Sequence, residues 1–260
     1  MNTDVIRVPS TGSFRAPSVS VGFSKEIVMG NDMMDLDQLA DYLQRDAREL
    51  NKLASRGHLP GHKVSGRWRF ARAEINQWLE TQLPEYTEQQ LSKFESKDQD
   101  RPEPELLICN YLAEASVAVP MIATTRASAL RELVRLAQQS WQVYDPDAIL
   151  KAVEDREEMG STGLDTGVAL PHPHRPLPAA IAEAVIAYGR TASGIPFGAA
   201  GGGLTDIFFL FCCQDEITHM RILTRLSRLL LRPGFVDELR AAETAADTWQ
   251  LIQAAEKELA

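Results

Sequence analysis

The spacing of apolar positions changes rhythm along the chain and marks its elements. From Asp35 onward, Leu36, Leu39, Ala40 and Leu43 fall at i, i+3, i+4 and i+7. Asp35 is placed to cap that helix, and Gln38, three residues on, completes a capping box. A second helix is expected behind Asp46, with Glu49 in its first turn, Ala47, Leu50, Leu53 and Ala54 inward, and Gly57 just past its end. Between Lys63 and Phe70 the period drops to two. Trp68 and Phe70 alternate with Arg67 and Arg69 after a Ser65-Gly66 turn, the pattern of a two-stranded wing with aromatics inward and arginines outward. A third helix, carrying Ile75, Trp78 and Leu79, closes this small core.

Residues 1–33 mix Ser, Thr, Pro, Gly and Val with neither period and are expected to form a mobile tail. Residues 81–104 are mostly Gln, Glu, Lys, Asp and Pro and read as a linker, partly helical around Leu91 and Phe94. A small, mainly α unit at 34–80 therefore precedes a larger one at 105–260. In the larger unit Leu130, Leu133, Val134 and Ala137 mark a helix, and Asp145-Pro146-Asp147 opens another that stops at Gly160. Val168-Ala169-Leu170, Ala184 to Tyr188 and Ile207 to Cys213 read as strands, the last buried on both faces because its apolar run is unbroken. Two helices follow, one with Ile222, Leu223, Leu226 and Leu230, the other with Trp249, Ile252 and Ala255. The expectation is an α/β domain, a mixed sheet flanked by helices, behind a small winged helix-turn-helix domain.

With 260 residues, 44% of them hydrophobic and 24% charged, two ordinary globular domains fit. A net charge of -9, taken as an average, argues against a chain that coats nucleic acid or an anionic membrane. The average hides a division: Arg45 to Arg72 carries eight basic and two acidic residues, so the small unit is basic and the remainder strongly acidic. Cys109, Cys212 and Cys213 form no CxxC pair, which opposes a disulfide framework and suits a reducing, cytoplasmic setting. No apolar run reaches the ~20 residues needed to cross a bilayer, so no membrane insertion is expected.

The outward stripe of the second helix is Arg48, Asn51, Lys52 and Ser55, at i, i+3, i+4 and i+7, a set that can face base edges in the major groove of double-stranded DNA. Arg56 and Lys63 belong to the same basic surface, and Arg67 and Arg69 on the wing would reach the backbone or minor groove. The plain alternative is a solvated basic face that binds protein. The Leu36–Leu43 helix, the GHLP break at 57–60, the KVSGRWRF wing at 63–70 and the AEINQWL helix at 73–79 closely resemble the excisionase and MerR-like winged-helix family in order and spacing. That resemblance implies DNA binding. Glu49 stands on the recognition helix where the family often has a neutral residue; a carboxylate there repels phosphate and points to weak binding or to a homodimer.

Of five histidines, His58 and His62 flank the wing and are read as structural or phosphate-facing. His172 and His174 follow a strand, where α/β sites gather. Their HxH spacing could bind zinc, but the neighbouring residues offer no third Cys, Asp or Glu ligand, so neither metal nor cofactor is expected. Neutral imidazole is instead a competent phosphoryl acceptor where cations and donors neutralise the transferring oxygens. The segment from Arg156 to Gly163 offers a guanidinium, two hydroxyls at Ser161 and Thr162, and flexible backbone; by composition alone it is a helix end and a turn.

The run REEMGSTGLDTGVALPH at 156–172 closely resembles the signature of the enzyme IIA domain of the fructose, mannitol and nitrogen branch of the bacterial phosphoenolpyruvate-dependent sugar phosphotransferase system. The match continues in GIPF at 194–197, DIFFLF at 206–211 and HMRILTRLSRLL at 219–230, and spans about residues 105–258. The resemblance implies that His172 is the phosphorylated histidine, that Arg156 stabilises the phosphate, that Ser161 and Thr162 lie near the site, and that His219 is a second histidine close to the first. It further implies a phosphocarrier protein as donor, and a role in sugar transport or in regulation. His174 stands where the family usually has no histidine, leaving open a phosphoryl group on it. The loop Gly198 to Gly203 is glycine-rich where relatives tend to carry an acidic turn; lacking the Gly-Lys-Ser/Thr of a nucleotide loop, it reads as a hairpin turn. The expected whole is a regulator with a DNA-binding head and a phosphoryl-accepting body. The alternative is a body that is never phosphorylated and acts only as a sensor or dimerisation platform.

Overall fold

The computed structural model describes residues 33–43, 45–83, 86–95 and 107–259. Residues 1–32 of the tail expected at 1–33 and the Arg101-Pro102-Glu103-Pro104 end of the linker lie outside them, whereas Met33, the last residue assigned to the tail, is in a strand.

The head runs β1 (Met33–Met34), α1 (Leu36–Leu43), α2 (Ala47–Ser55), β2 (His62–Val64), β3 (Arg67–Ala71) and α3 (Arg72–Gln82). Its helices start where side chains replace missing backbone partners. Asp35 Oδ1 accepts from Gln38 N and Gln38 Oε1 accepts from Asp35 N, each at 2.9 Å, a reciprocal capping box. Asp46 accepts from the amides of Arg48 and Glu49. Ser65 and Gly66 both take positive φ, 51° and 78°, the backbone that folds β2 back onto β3 with the right twist. Met33 and Met34 add a third strand on the other side of β3. Leu39, Leu50, Phe70, Ile75 and Leu79 are fully buried between these pieces.

The body consists of α4 (Glu88–Glu95), α5 (Leu107–Tyr111), β4 (Leu112–Met121), α6 (Arg126–Ala137), α7 (Pro146–Glu158), β5 (Val168–Ala169), β6 (Val185–Ile195), β7 (Thr205–Cys212), α8 (Glu216–Leu231), α9 (Phe235–Ala241) and α10 (Ala245–Lys257). Its sheet has the order β4-β6-β7-β5, with β4 parallel to β6, β6 antiparallel to β7 and β5 parallel to β7. Side chains alternate across it. Ile186, Tyr188, Phe209 and Phe211 face a core shared with α5, α8, α9 and α10, whereas Val185, Ala187, Phe208 and Leu210 face α6 and α7. The central strand β7 is buried on both faces, and the glycine loop joins it to its antiparallel neighbour β6.

Besides the two-residue β1, three elements of the body escape the sequence pattern. β4 holds Ala113, Glu114 and Ala115 where an apolar period would be needed, and its pairing with β6 shifts register twice. α5 and α9 are too short to show a helical period.

Head and body share one hydrophobic core, running from Leu39, Leu50 and Leu79 through Leu91 of α4 to Ile222, Leu226 and Phe211. Beside it, Arg225 of α8 pairs with Glu95 of α4 and, at 3.1 Å, with Glu256 of α10. Arg228 pairs with Glu95 at 2.5 Å and with Glu88 at 2.9 Å. Thus α4, inside the stretch that reads as linker, is held along α8.

Candidate functional site

The site forms where β5 ends. Leu170 to His174 leave the strand as an extended segment fixed by Phe211, whose amide donates to the Pro171 carbonyl at 3.1 Å. The His172 ring stacks on the Phe211 ring, centroids 4.9 Å apart, and is almost wholly buried. Its Nδ1 lies 2.7 Å from the Leu170 carbonyl. A carbonyl oxygen can only accept, so Nδ1 carries a hydrogen.

His219 sits in the first turn of α8, which Asp215 caps through the Thr218 amide, and its ring meets that of His172 edge-on at 5.0 Å. Arg156 comes from the last turn of α7, anchored by a 2.9 Å bond from Nη1 to the Gly160 carbonyl and buried to 7% exposure. The structure therefore gathers His172, His219 and Arg156. Ser161 is turned to the Phe197 carbonyl at 3.2 Å and accepts from the Gly163 amide. The Thr162 hydroxyl and amide are both taken by buried Glu157, whose carboxyl burial pushes above its usual range. His174 is half-buried, with an Nδ1 that finds no hydrogen-bond partner.

Between the gathered groups lies a residue that nothing in the sequence singles out. Glu80, near the C-terminal end of α3 in the head, places Oε2 3.0 Å from Arg156 Nη2 and 3.2 Å from His172 Nε2, and Oε1 3.3 Å from His219 Nε2. Its side chain is only 6% exposed. Buried His172 Nε2 thus stands close to the carboxylate without a hydrogen-bond partner. One turn earlier on α3, Asn76 Nδ2 donates to Glu216 of α8 at 2.8 Å, and Asn76 Oδ1 accepts from Tyr42 at 2.6 Å. The sequence signal for Glu80 is poor: a glutamate at a helix end beside a polar linker reads as solvated.

Burial alone would push the Glu80 carboxyl up, but the imidazoles of His172 and His219 beside it outweigh burial and hold it well below its ordinary range. A carboxyl with a depressed pKa lends stability that is complete above its ordinary value of about 4.5 and is lost as pH falls below it. Hydrogen exchange of the α3 amides, corrected for intrinsic rate, is accordingly expected to quicken as pH falls from about 4.5 to about 3, and to do so less in Glu80→Gln.

Glu80, His172 and His219 also offer three ligand atoms within 4.8 Å of one another, the number a metal needs. The guanidinium already bound to the same carboxylate oxygen opposes a divalent cation there. Two imidazoles and an arginine, with a carboxylate between them, suit a small anion better.

An α/β body that gathers two imidazoles and a guanidinium around a carboxylate of the preceding winged helix defines the class: a mixed-sheet domain with a buried histidine pair, behind a helix-turn-helix head. The chain belongs to the family described as phosphoenolpyruvate-dependent sugar phosphotransferase system, EIIA 2, whose model matches residues 110–255. A helix-turn-helix domain model matches residues 33–83. Among curated relatives, the fructose-specific EIIABC component of Bacillus subtilis is 26% identical over 139 residues, which is 53% of this chain but only 21% of that protein. A nitrogen regulatory protein of Pseudomonas aeruginosa is 26% identical over 125 residues, 47% of this chain and 79% of that one. Among solved structures, nitrogen regulatory protein IIA-Ntr of Neisseria meningitidis shares the fold at TM-score 0.51 and 22% identity, over 56% of this chain and 99% of that one. Among the described residues, no helix is long and apolar enough to cross a membrane.

Proposed function

We propose that the body accepts a phosphoryl group on His172 Nε2 from the phosphohistidine of a phosphocarrier protein, and that the head couples this state to double-stranded DNA. The observation that carries it is the His172 ring itself: Nδ1–H is held by Leu170, and Nε2 faces a buried anion position flanked by Arg156 and His219. The Nε2 lone pair attacks the phosphorus of the carrier. The carrier's N–P bond breaks, its electron pair stays on the carrier imidazole, and the new N–P bond forms at His172. The Nδ1 proton stays on the ring, donated to the Leu170 carbonyl throughout, and that bond supports the positive charge of the phosphorylated ring. Arg156 supplies a permanent cation for the transferring oxygens. Incubation with phosphoenolpyruvate and the general phosphotransferase proteins is expected to leave one acid-labile phosphate, on the peptide containing His172; no label would overturn the proposal.

For the head, Arg48, Asn51, Lys52 and Ser55 lie exposed along α2, together with Arg56, Lys63 and Arg67, while Arg69 is half-buried. Asn51 Oδ1 accepts from Trp68 Nε1 at 2.9 Å, which ties the recognition helix to the wing and pre-sets the asparagine amide. Glu49 is paired with Arg45 at i, i−4, which blunts its repulsion of phosphate. Arg48→Ala and Lys52→Ala are each expected to weaken duplex binding; where the lost contact is to phosphate, the slope of log affinity against log salt falls by about 1. Titrations at several salt concentrations check this, and unchanged affinity would favour a protein-binding head.

A further inference from the structure

We propose that Glu80 is a built-in occupant of the phosphoryl site, so that the docked head and a phosphoryl group on His172 exclude each other. The proposal rests on His172 being the acceptor. Glu80 presents a flat anion with two oxygens to the three groups that would meet the oxygens of a phosphoryl group, at 3.0 Å, 3.2 Å and 3.3 Å. Phosphorus must come within bonding distance of Nε2, and Oε2 already stands there. A phosphoryl group adds about two negative charges beside a carboxylate in a site closed to water, where repulsion is strongly felt. The two anions cannot share Arg156, and the head's anion has to leave.

The docking has a releasable end and a tethered end. At the site, α3 holds α8 through Asn76 to Glu216 and Glu80 to His219. Farther along α8, Glu88 and Glu95 of α4 hold Arg225 and Arg228, about one and a half to two and a half helical turns from His219. Expulsion of Glu80 thus frees the head's closing helix while α4 keeps the head attached. The stripe Arg48, Asn51, Lys52 and Ser55 is exposed in the docked state, so docking does not cover it. What phosphorylation changes is the placement of the reading surface relative to the body, and with it the spacing of two heads in any dimer on DNA. By linkage, whatever holds the head docked slows phosphorylation, and whatever displaces it quickens it.

The test measures the rate of phosphoryl acceptance from phosphoenolpyruvate and the general phosphotransferase proteins for the full chain, for Glu80→Ala and for Glu74→Ala. Glu74 lies on the same helix but is exposed and faces His62. If the docked state holds about nine-tenths of the molecules, wild type accepts about tenfold more slowly than Glu80→Ala, and Glu74→Ala matches wild type. Hydrogen exchange of the α3 amides is expected to rise on phosphorylation of the wild type and to be high already in Glu80→Ala. Equal rates for wild type and Glu80→Ala, with α3 exchange unmoved by phosphorylation, overturn the plug while leaving the acceptor reading intact. Absence of label in wild type and Glu80→Ala alike, while a separate enzyme IIA is labelled in the same mixture, overturns the acceptor reading and the plug with it.

Discussion

His172→Ala is expected to lose the acid-labile phosphate entirely, whereas His174→Ala keeps it. The two imidazoles stand two residues apart on one extended segment, so proximity in sequence does not separate them; their surroundings do. His172 is stacked on Phe211, fixed in one tautomer by Leu170, and aimed at the guanidinium of Arg156 through the anion that Glu80 now provides. His174, by contrast, has a buried Nδ1 with no hydrogen-bond partner and pairs with neither Glu80 nor Arg156. Burial pushes its imidazole below the usual range. Loss of the His172 ring leaves Glu80 paired with Arg156 and His219, so circular dichroism and melting of His172→Ala should stay close to wild type. Label that survives in His172→Ala and vanishes in His174→Ala would reverse the assignment.

A second large effect concerns stability. Glu256 is fully buried and accepts from the amides of Ile108 at 2.7 Å and Cys109 at 3.1 Å, in the first turn of α5, and from Arg225 Nη1 at 3.1 Å. Glu256→Ala leaves two backbone donors and part of a buried guanidinium without an acceptor. Breaking a buried pair in this way costs about 3–5 kcal/mol, and a melting point lower by roughly 10 °C is expected. The exposed Arg232–Glu258 pair provides the contrast: Arg232→Ala should cost no more than about 1 kcal/mol. Equal shifts in the two variants would mean that the buried cluster contributes nothing beyond a surface pair.

Much of the architecture is legible because its elements carry strong local signals. The Asp35 and Asp46 caps, the Ser65-Gly66 turn and the unbroken apolar run of β7 each announce a structure that a short window of sequence determines. The edge strand β4 does not, since its pairing with β6 and cover by α10 make a strand of a sequence holding Glu114, Ala115 and Pro120. The site divides along the same line. His172, Arg156 and His219 are legible through the motifs that carry them, and the fold brings them together. Glu80 is invisible because its meaning comes from a surface 139 residues away in the chain, and no local pattern distinguishes it from Glu74, six residues before.

Helix α3 is shared between two tasks by its own geometry. Ile75 and Leu79 point into the head's core, while Asn76 and Glu80, the very next position in each turn, grip the first turn of α8. The head is therefore not an interchangeable cassette. A winged helix grafted from another protein would bring its own core residues and read its own operator, yet it would sit loosely on this body unless an amide and a carboxylate were installed at the places of Asn76 and Glu80. Conversely, those two side chains, set on the outward face of a foreign closing helix, are the smallest transplant that would let an unrelated winged helix reproduce the grip on α8.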